Sequence, residues 1–190
     1  NFDVTEIEIL ENGNKFKGSN RGKITSDDGL TINADEFEYN KISNVLNAKG
    51  KIEINYPLKK YKIYAENISY LKDQSKIIAE NNVKLIDEEG RIISAKQLSF
   101  NLSKNIFSLK GNAKIIDPVQ NFIIYAQNIS YLKNQNIITT KNKSKIIDND
   151  QKTISARKFV FNLSNNTFSA SDNVKIFDPI NNYQIISGNI

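Results

Sequence analysis

Apolar side chains recur along this chain with a period of about 30 residues, and that cadence restricts it to a repeat architecture. The stretch IYAENISYLKDQSKIIA, beginning at Ile63, returns as IYAQNISYLKNQNIITT, beginning at Ile124. Between them ISAKQLSFNLSKNIFSL, from Ile93, has its own copy at the same separation, ISARKFVFNLSNNTFSA, from Ile154. The small residues that open each motif, Ala34, Ala65, Ala95, Ala126 and Ala156, extend to Val4 and Ser187 in one unbroken register.

Other columns obey the same spacing. One holds Phe2, Ile32, Ile63, Ile93, Ile124, Ile154 and Ile185; the next holds Ile7, Phe37, Ile68, Leu98, Ile129, Phe159 and Ile190. An aromatic column follows: Ile9, Tyr39, Tyr70, Phe100, Tyr131 and Phe161. The return half contributes Phe16, Leu46, Ile77, Phe107, Ile138 and Phe168, and then Ile24, Ile54, Leu85, Ile115, Ile146 and Ile176. No charged residue enters these columns although a quarter of the chain is charged, so they face one shared apolar interior.

Within a repeat the apolar positions alternate, the signature of strands whose successive side chains leave opposite faces. The alternation breaks once on each half, between Ala34 and Phe37 and between Ala48 and Ile52, with Gly50 and Gly111 in the second kind of break. A hairpin turning at Asn40–Asn44 sets the two breaks opposite each other. Tyr39 then faces Leu46, Phe37 faces Ala48, Ala34 faces Ile52 and Ile32 faces Ile54, with a slip of one at a bulge. The predicted fold is all-β: an antiparallel array of bent hairpins of about 30.5 residues, two facing half-sheets joined along a crease. Polar tips at Asn40–Asn44, Leu71–Ser75, Asn101–Asn105, Leu132–Gln135 and Asn162–Asn166 support it, as do Pro57, Pro118 and Pro179 in the connections. One repeat domain over residues 1–190 is expected, a fragment that begins at Asn1 and ends within the array.

The residues exclude more chemistry than they suggest. With no His and no Cys, no Ser has a base to activate it, and neither an enzyme nor a cofactor is expected. The acidic pairs Asp27–Asp28 and Glu88–Glu89 sit in matched connections and read as solvated turns. The net charge of +5 comes from scattered lysines, and no basic stripe adjoins the aromatic column, so no nucleic-acid partner is expected. That column reads as core at the mouth of the sandwich. What remains is the interior itself. Either these side chains pack only against one another, or the unclosed side admits acyl chains; a dozen methylenes there would be worth about 10 kcal/mol. A parallel β-helix with coils of similar length, serving as an adhesin or polysaccharide-binding stalk, is the alternative architecture.

The segment ADEFEYNKISNVLNAKGKIEI, from Ala34 to Ile54, resembles the OstA-like repeat of the lipopolysaccharide-transport family. The pattern is carried by Ala34, Asp35, Tyr39, Ala48, Gly50 and Ile52; Lys96 replaces the Asp in the next odd repeat, and Asn81 and Asn142 replace the Gly in the even ones. The resemblance implies a V-shaped antiparallel β-jellyroll in the periplasm, associated with the outer membrane, that passes lipid A acyl chains along its groove. It implies lipopolysaccharide as ligand and related β-jellyroll domains as partners through edge-strand addition. Two kinds of member fit, a periplasmic bridge and the N-terminal domain of an outer-membrane assembly protein. The opening FDVTEIEILENGNKF leans towards the second, whose partner would be an outer-membrane β-barrel. Transferred by column, the groove-lining residues are Phe37, Ile68, Leu98, Ile129 and Phe159, facing Leu46, Ile77, Phe107, Ile138 and Phe168. The column of Ile54, Leu85, Ile115, Ile146 and Ile176 completes them.

Overall fold

The alternation builds strands almost end to end. The computed structural model describes residues 2–190, so the start at Asn1 lies outside the described residues. The first strands are β1 (Phe2–Leu10), β2 (Lys15–Thr25), β3 (Thr31–Ala34), β4 (Glu36–Asn40), β5 (Val45–Tyr56), β6 (Tyr61–Leu71), β7 (Lys76–Ile86) and β8 (Ile92–Asn101). They are followed by β9 (Ile106–Asp117), β10 (Phe122–Leu132), β11 (Ile137–Lys141), β12 (Ser144–Asp148), β13 (Thr153–Ala156), β14 (Lys158–Asn162), β15 (Thr167–Asp178) and β16 (Tyr183–Asn189). Two compact units divide the chain. One runs through Glu88 and includes Gln97–Lys104; the other holds Glu89–Lys96 and Asn105–Ile190.

In the first unit β1 pairs with β2, β2 with β3 and β4, both of these with β5, β5 with β6, and β6 with β7. Tyr39 lies opposite Leu46, Phe37 opposite Ala48 and Ile32 opposite Ile54, the register predicted from the columns. In the second unit β9 pairs with β10, and β10 with β11 and β12. From there β11 pairs with β14, β12 with β13, β13 and β14 with β15, and β15 with β16. All these pairings are antiparallel, which overturns the parallel β-helix: a coil lays successive strands in the same direction.

The crease has a specific backbone cause. Each return strand crosses it through two consecutive residues of positive φ: Asn20–Arg21, Gly50–Lys51, Asn81–Asn82, Gly111–Asn112, Asn142–Lys143 and Asp172–Asn173. Left-handed backbone costs Gly nothing and Asn or Asp little, so Asn81 and Asn142 replace Gly50 and Gly111 without altering the bend. Gly50 has a second constraint, since a Cβ there would stand 2.6 Å from Asp35 Oδ2. The opposing strand yields at the same level. Asp35 separates β3 from β4, donating its N–H to Gly50 O and accepting from Arg21 N, both at 3.0 Å. Across the crease the register slips by one, from Lys49↔Asn67 to Ile52↔Ala65.

Every bent strand thus contributes to a half-sheet beside the inter-repeat connections, the loop half, and to another beside the hairpin tips, the tip half. Their inward faces meet. In the first unit Tyr61 of the loop half lies edge-on to Phe100 of the tip half, ring centroids 5.6 Å apart; in the second Phe122 stacks on Phe161 at 5.5 Å. The interior is less covered on β1 and β16, which each pair on one edge only among the described residues. Ile7 and Ile9 of β1 and Ile185 of β16 belong to the columns yet are exposed.

One inward column differs in kind. Asp87, Asp117, Asp148 and Asp178, in four successive repeats, lie at or just past the ends of loop-half strands, and all but Asp148 are buried. Their carboxylates hold the connections. Asp117 Oδ1 accepts from Val119 and Gln120 N–H at 2.9 Å, and Asp178 Oδ1 accepts from Ile180 and Asn181 N–H at 3.0 Å. The prolines that follow, Pro118 and Pro179, have no N–H to offer, so the carboxylate reaches the next two. In the proline-free connection Asp148 Oδ1 accepts from Lys152 N–H at 2.9 Å instead.

Candidate functional site

The loop half and the tip half of the second unit are joined at their far edges by buried charge. Arg91, just ahead of β8, donates from Nε to Asp117 Oδ2 at 2.6 Å and from Nη1 to the hydroxyl of Tyr131 at 3.3 Å. The same Nη1 lies 3.2 Å from Glu89 Oε2. Glu89 in turn receives Lys133, from the tip after β10, whose Nζ is 2.7 and 2.5 Å from its two oxygens and 5.8 Å from the centroid of the Tyr131 ring. Asp117 and Tyr131 are fully buried and Arg91 and Lys133 nearly so. Burying unpaired charge is expensive, so a network of this density persists only fully paired. It closes this part of the mouth.

Towards β15 the two halves separate. A cavity of about 200 Å³ opens between them, floored by Phe122, Ile146 and Ile154 from the loop half and by Phe161, Leu163 and Phe168 from the tip half. Gln120, Asp148 and Lys152 form its polar edge together with Asn162, Asn166 and Thr167. Lys152 lies 3.2 Å from Asp178, which strengthens its hold on its proton. The backbone N–H of Asn181, with its side chain and Lys152, keeps the Asp178 carboxyl well below its ordinary range. At about 30 Å³ per water-sized group, the cavity has room for some six or seven carbons of a chain. An apolar floor under a rim that carries an ammonium is the arrangement an amphiphile with an anionic head requires.

The predicted groove residues divide sharply. Phe37, Leu46, Ile54, Ile68, Ile77, Leu85 and Leu98, in the first unit, are at most 4% exposed. In the second unit Phe107, Ile115, Ile129, Ile138 and Phe159 are equally buried, all packed in the core. Ile146 and Phe168 line the cavity, Phe168 at 43% exposure, and Ile176 is half-buried beside Ile154 on the neighbouring strand. On β15, Ser171 lies opposite Asn189 of β16, and the backbones of Ala170 and Ile190 exchange hydrogen bonds.

Glu89 corrects the reading of Glu88–Glu89 as a solvated turn. Glu88 pairs with Lys60 at 3.1 Å, and Glu89 joins the network across the mouth. Of the matched pair in the first unit, Asp28 accepts from the Tyr56 hydroxyl at 2.6 Å and from Ser26. Sequence reasoning missed the Asp column, and it missed Lys133, which repeats Lys72, and Arg91 and Lys152, which hold the same place two repeats apart; all these recurrences were there to be found. The aromatic column is core where Phe100, Tyr131 and Phe161 occupy it. A second concavity, of about 750 Å³, lies on the tip half of the first unit and is lined by the predicted groove residues Phe37 and Ile68 with Ile7, Ala48 and polar side chains.

Among the described residues no three His, Cys, Asp or Glu side chains gather to hold a metal ion, and no helix is long and apolar enough to cross a membrane. No family model matches the sequence. No curated protein matches it either. Among solved structures the chain is similar to LptH of Pseudomonas aeruginosa, described as the LptA-homologous periplasmic component of the lipopolysaccharide transport device. The two are 13% identical over 77% of this chain and 84% of that one, with a TM-score of 0.34. An overlay that loose transfers neither residues nor a role.

Proposed function

We propose that this protein binds lipopolysaccharide in the periplasm, beside the outer membrane, and holds lipid A acyl chains between its half-sheets. One observation carries the reading: the cavity floored by Phe122, Ile146, Ile154, Phe161 and Phe168 opens between two apolar faces whose columns recur along the chain. The OstA-like residues from Ala34 to Ile54 support the choice of ligand. In the proposed complex acyl chains enter beside Phe168, and Lys152 at the edge meets the anionic head. The apolar columns behind it, Ile129 and Phe159 beside Phe107 and Ile138, lie together on the tip half and not across the trough from each other. They then offer successive similar sites, so that a chain moves with little change in buried area. β1 and β16 each pair on one edge only among the described residues, and we assign those edges to strand addition by related β-jellyroll domains. In an assembly-protein setting the further partner is an outer-membrane β-barrel.

Site-specific photocrosslinking tests the assignment. A crosslinker at Phe168 or Ile146 is expected to capture lipid A, and one at the outward-facing, exposed Ser169 is not. Labelling at Ser169 equal to that at Phe168 would remove the trough from consideration.

A further inference from the structure

The outer face of the loop half differs between the two units where their sequences correspond. In the second unit the cross-strand row outside the trough reads Ile116, Ile123, Ile147, Thr153, Phe177, Gln184. The adjacent row, nearer the crease, reads Lys114, Tyr125, Lys145, Ser155, Lys175, Ile186. In the first unit the corresponding rows read Thr25, Thr31, Asn55, Lys62, Ile86 and Asp3, Lys23, Asn33, Glu53, Tyr64, Lys84. Residues two repeats apart occupy equivalent places, so Asn55 becomes Ile116, Lys62 becomes Ile123 and Glu53 becomes Lys114. These positions point away from the interior, and core packing does not demand the changes.

Charge separates in the same direction. Along the crease of the second unit lie Lys96, Lys110, Lys141, Lys143, Arg157 and Lys158, all exposed, with Asp172 as the acidic residue among them. Among the described residues none of these six cations, nor Lys114, Lys145 or Lys175, forms an ion pair. The crease and adjoining row of the first unit mix signs: Arg21, Lys23, Lys51 and Lys84 against Asp3, Asp35, Glu53 and Glu66. Phe177 in the apolar row is 43% exposed and Ile186, at the end of the lysine row, 69%, and Tyr125 carries Lys114 over its ring at 5.3 Å.

We infer that the outer loop-half face of the second unit is a docking surface for an anionic lipid bilayer. Lysines reach the headgroup phosphates while Ile116, Ile123, Ile147 and Phe177 settle at the acyl boundary, with Tyr125 between them. An acidic protein would satisfy the lysines but leave that apolar row uncovered, so the bilayer accounts for both features. The surface faces away from the trough and does not depend on the acyl-chain reading.

Vesicle co-sedimentation of the whole chain tests this with phosphatidylcholine vesicles, pure or mixed with phosphatidylglycerol. Binding is expected with the anionic mixture, falling as salt rises, and not with the neutral vesicles. The triple variant Lys114→Glu, Lys145→Glu, Lys175→Glu should weaken it at least about ten-fold, and Phe177→Ser with Ile186→Ser several-fold. Lys23→Glu with Lys84→Glu on the first unit should leave it unchanged. Circular dichroism and acyl-probe uptake at the trough, both retained in the triple variant, separate this result from misfolding and from failure of the transport reading. Equal binding to neutral vesicles, wild-type binding by the triple variant, or a lysine-dependent dimer that ignores vesicles would overturn the proposal.

Discussion

Lys133 and Glu89 meet across the mouth of the second unit, the ammonium 2.7 and 2.5 Å from the two carboxylate oxygens, though 44 residues separate them. Glu89 also faces Arg91, which Asp117 holds from its other side, so two carboxylates balance the two cations that the fold has nearly buried. If acyl chains pass this point, the pair has to part. Glu89→Gln keeps the shape and removes the charge. It should lower stability by about 1–3 kcal/mol and speed the uptake of a fluorescent acyl probe. Measuring both on the same preparation decides the matter: lower stability with unchanged uptake would make the pair purely structural.

Phe107 and Phe168 share a column but should respond differently to the same substitution. Phe107 is wholly buried against Tyr131, whereas Phe168 is 43% exposed at the cavity. Phe107→Asp should unfold the second unit, because an unpaired carboxylate in that core costs more than about 4 kcal/mol. Phe168→Asp should cost about 1 kcal/mol or less and still abolish probe uptake. Circular dichroism separates the two outcomes, and a folded Phe168→Asp protein with full uptake would move the entry site elsewhere.

That contrast marks what the sequence disclosed. Alternation at period two and polar tips suffice to pair Tyr39 with Leu46 and Ile32 with Ile54, because both signals are local and repeated in every hairpin. The crease was legible through Gly50 and Gly111 and, by column, at Asn81 and Asn142, while Asn20–Arg21 and Asp172–Asn173 hid it behind a different solution to the same φ. Exposure was not legible at all. Phe107 and Phe168 are the same residue in the same column, yet one is wholly buried and the other 43% exposed. The rim was hidden for another reason: Lys133 repeats Lys72 and Arg91 matches Lys152, but their partners are set by tertiary folding.

Ser144 should be the cheapest site at which to stabilise the protein. It is buried at the inward position held by Ile52, Val83, Ala113 and Val174 in other repeats, and its hydroxyl has no hydrogen-bond partner. Ser144→Val removes the stranded oxygen and restores an apolar contact, for a gain of about 1–2 kcal/mol and a rise in Tm of roughly 2–4 °C. Urea unfolding followed by a signal from the second unit would show it. A loss of stability would mean that the methyl groups overfill the column.

Tyr56 and Asp28 give the first unit a pH dependence at both ends. The hydrogen bond to Asp28, aided by burial, pushes the Tyr56 hydroxyl up to about 12 from an ordinary 10.0, while bonds from Ser26 and Tyr56 pull the Asp28 carboxyl below 3.8. A raised phenol favours the folded state while protonated, so its contribution is complete below pH 10 and disappears as pH rises towards 12. A lowered carboxyl favours the folded state while ionised, so its contribution is present above pH 3.8 and fades as pH falls. Tyr56→Phe should therefore lose stability at neutral pH and flatten the decline in urea midpoint between pH 10 and 12. Its acid limb should flatten only in part, because Ser26 still donates to Asp28. Wild-type and variant curves that run parallel through the alkaline range would show that the hydroxyl does not depend on this bond.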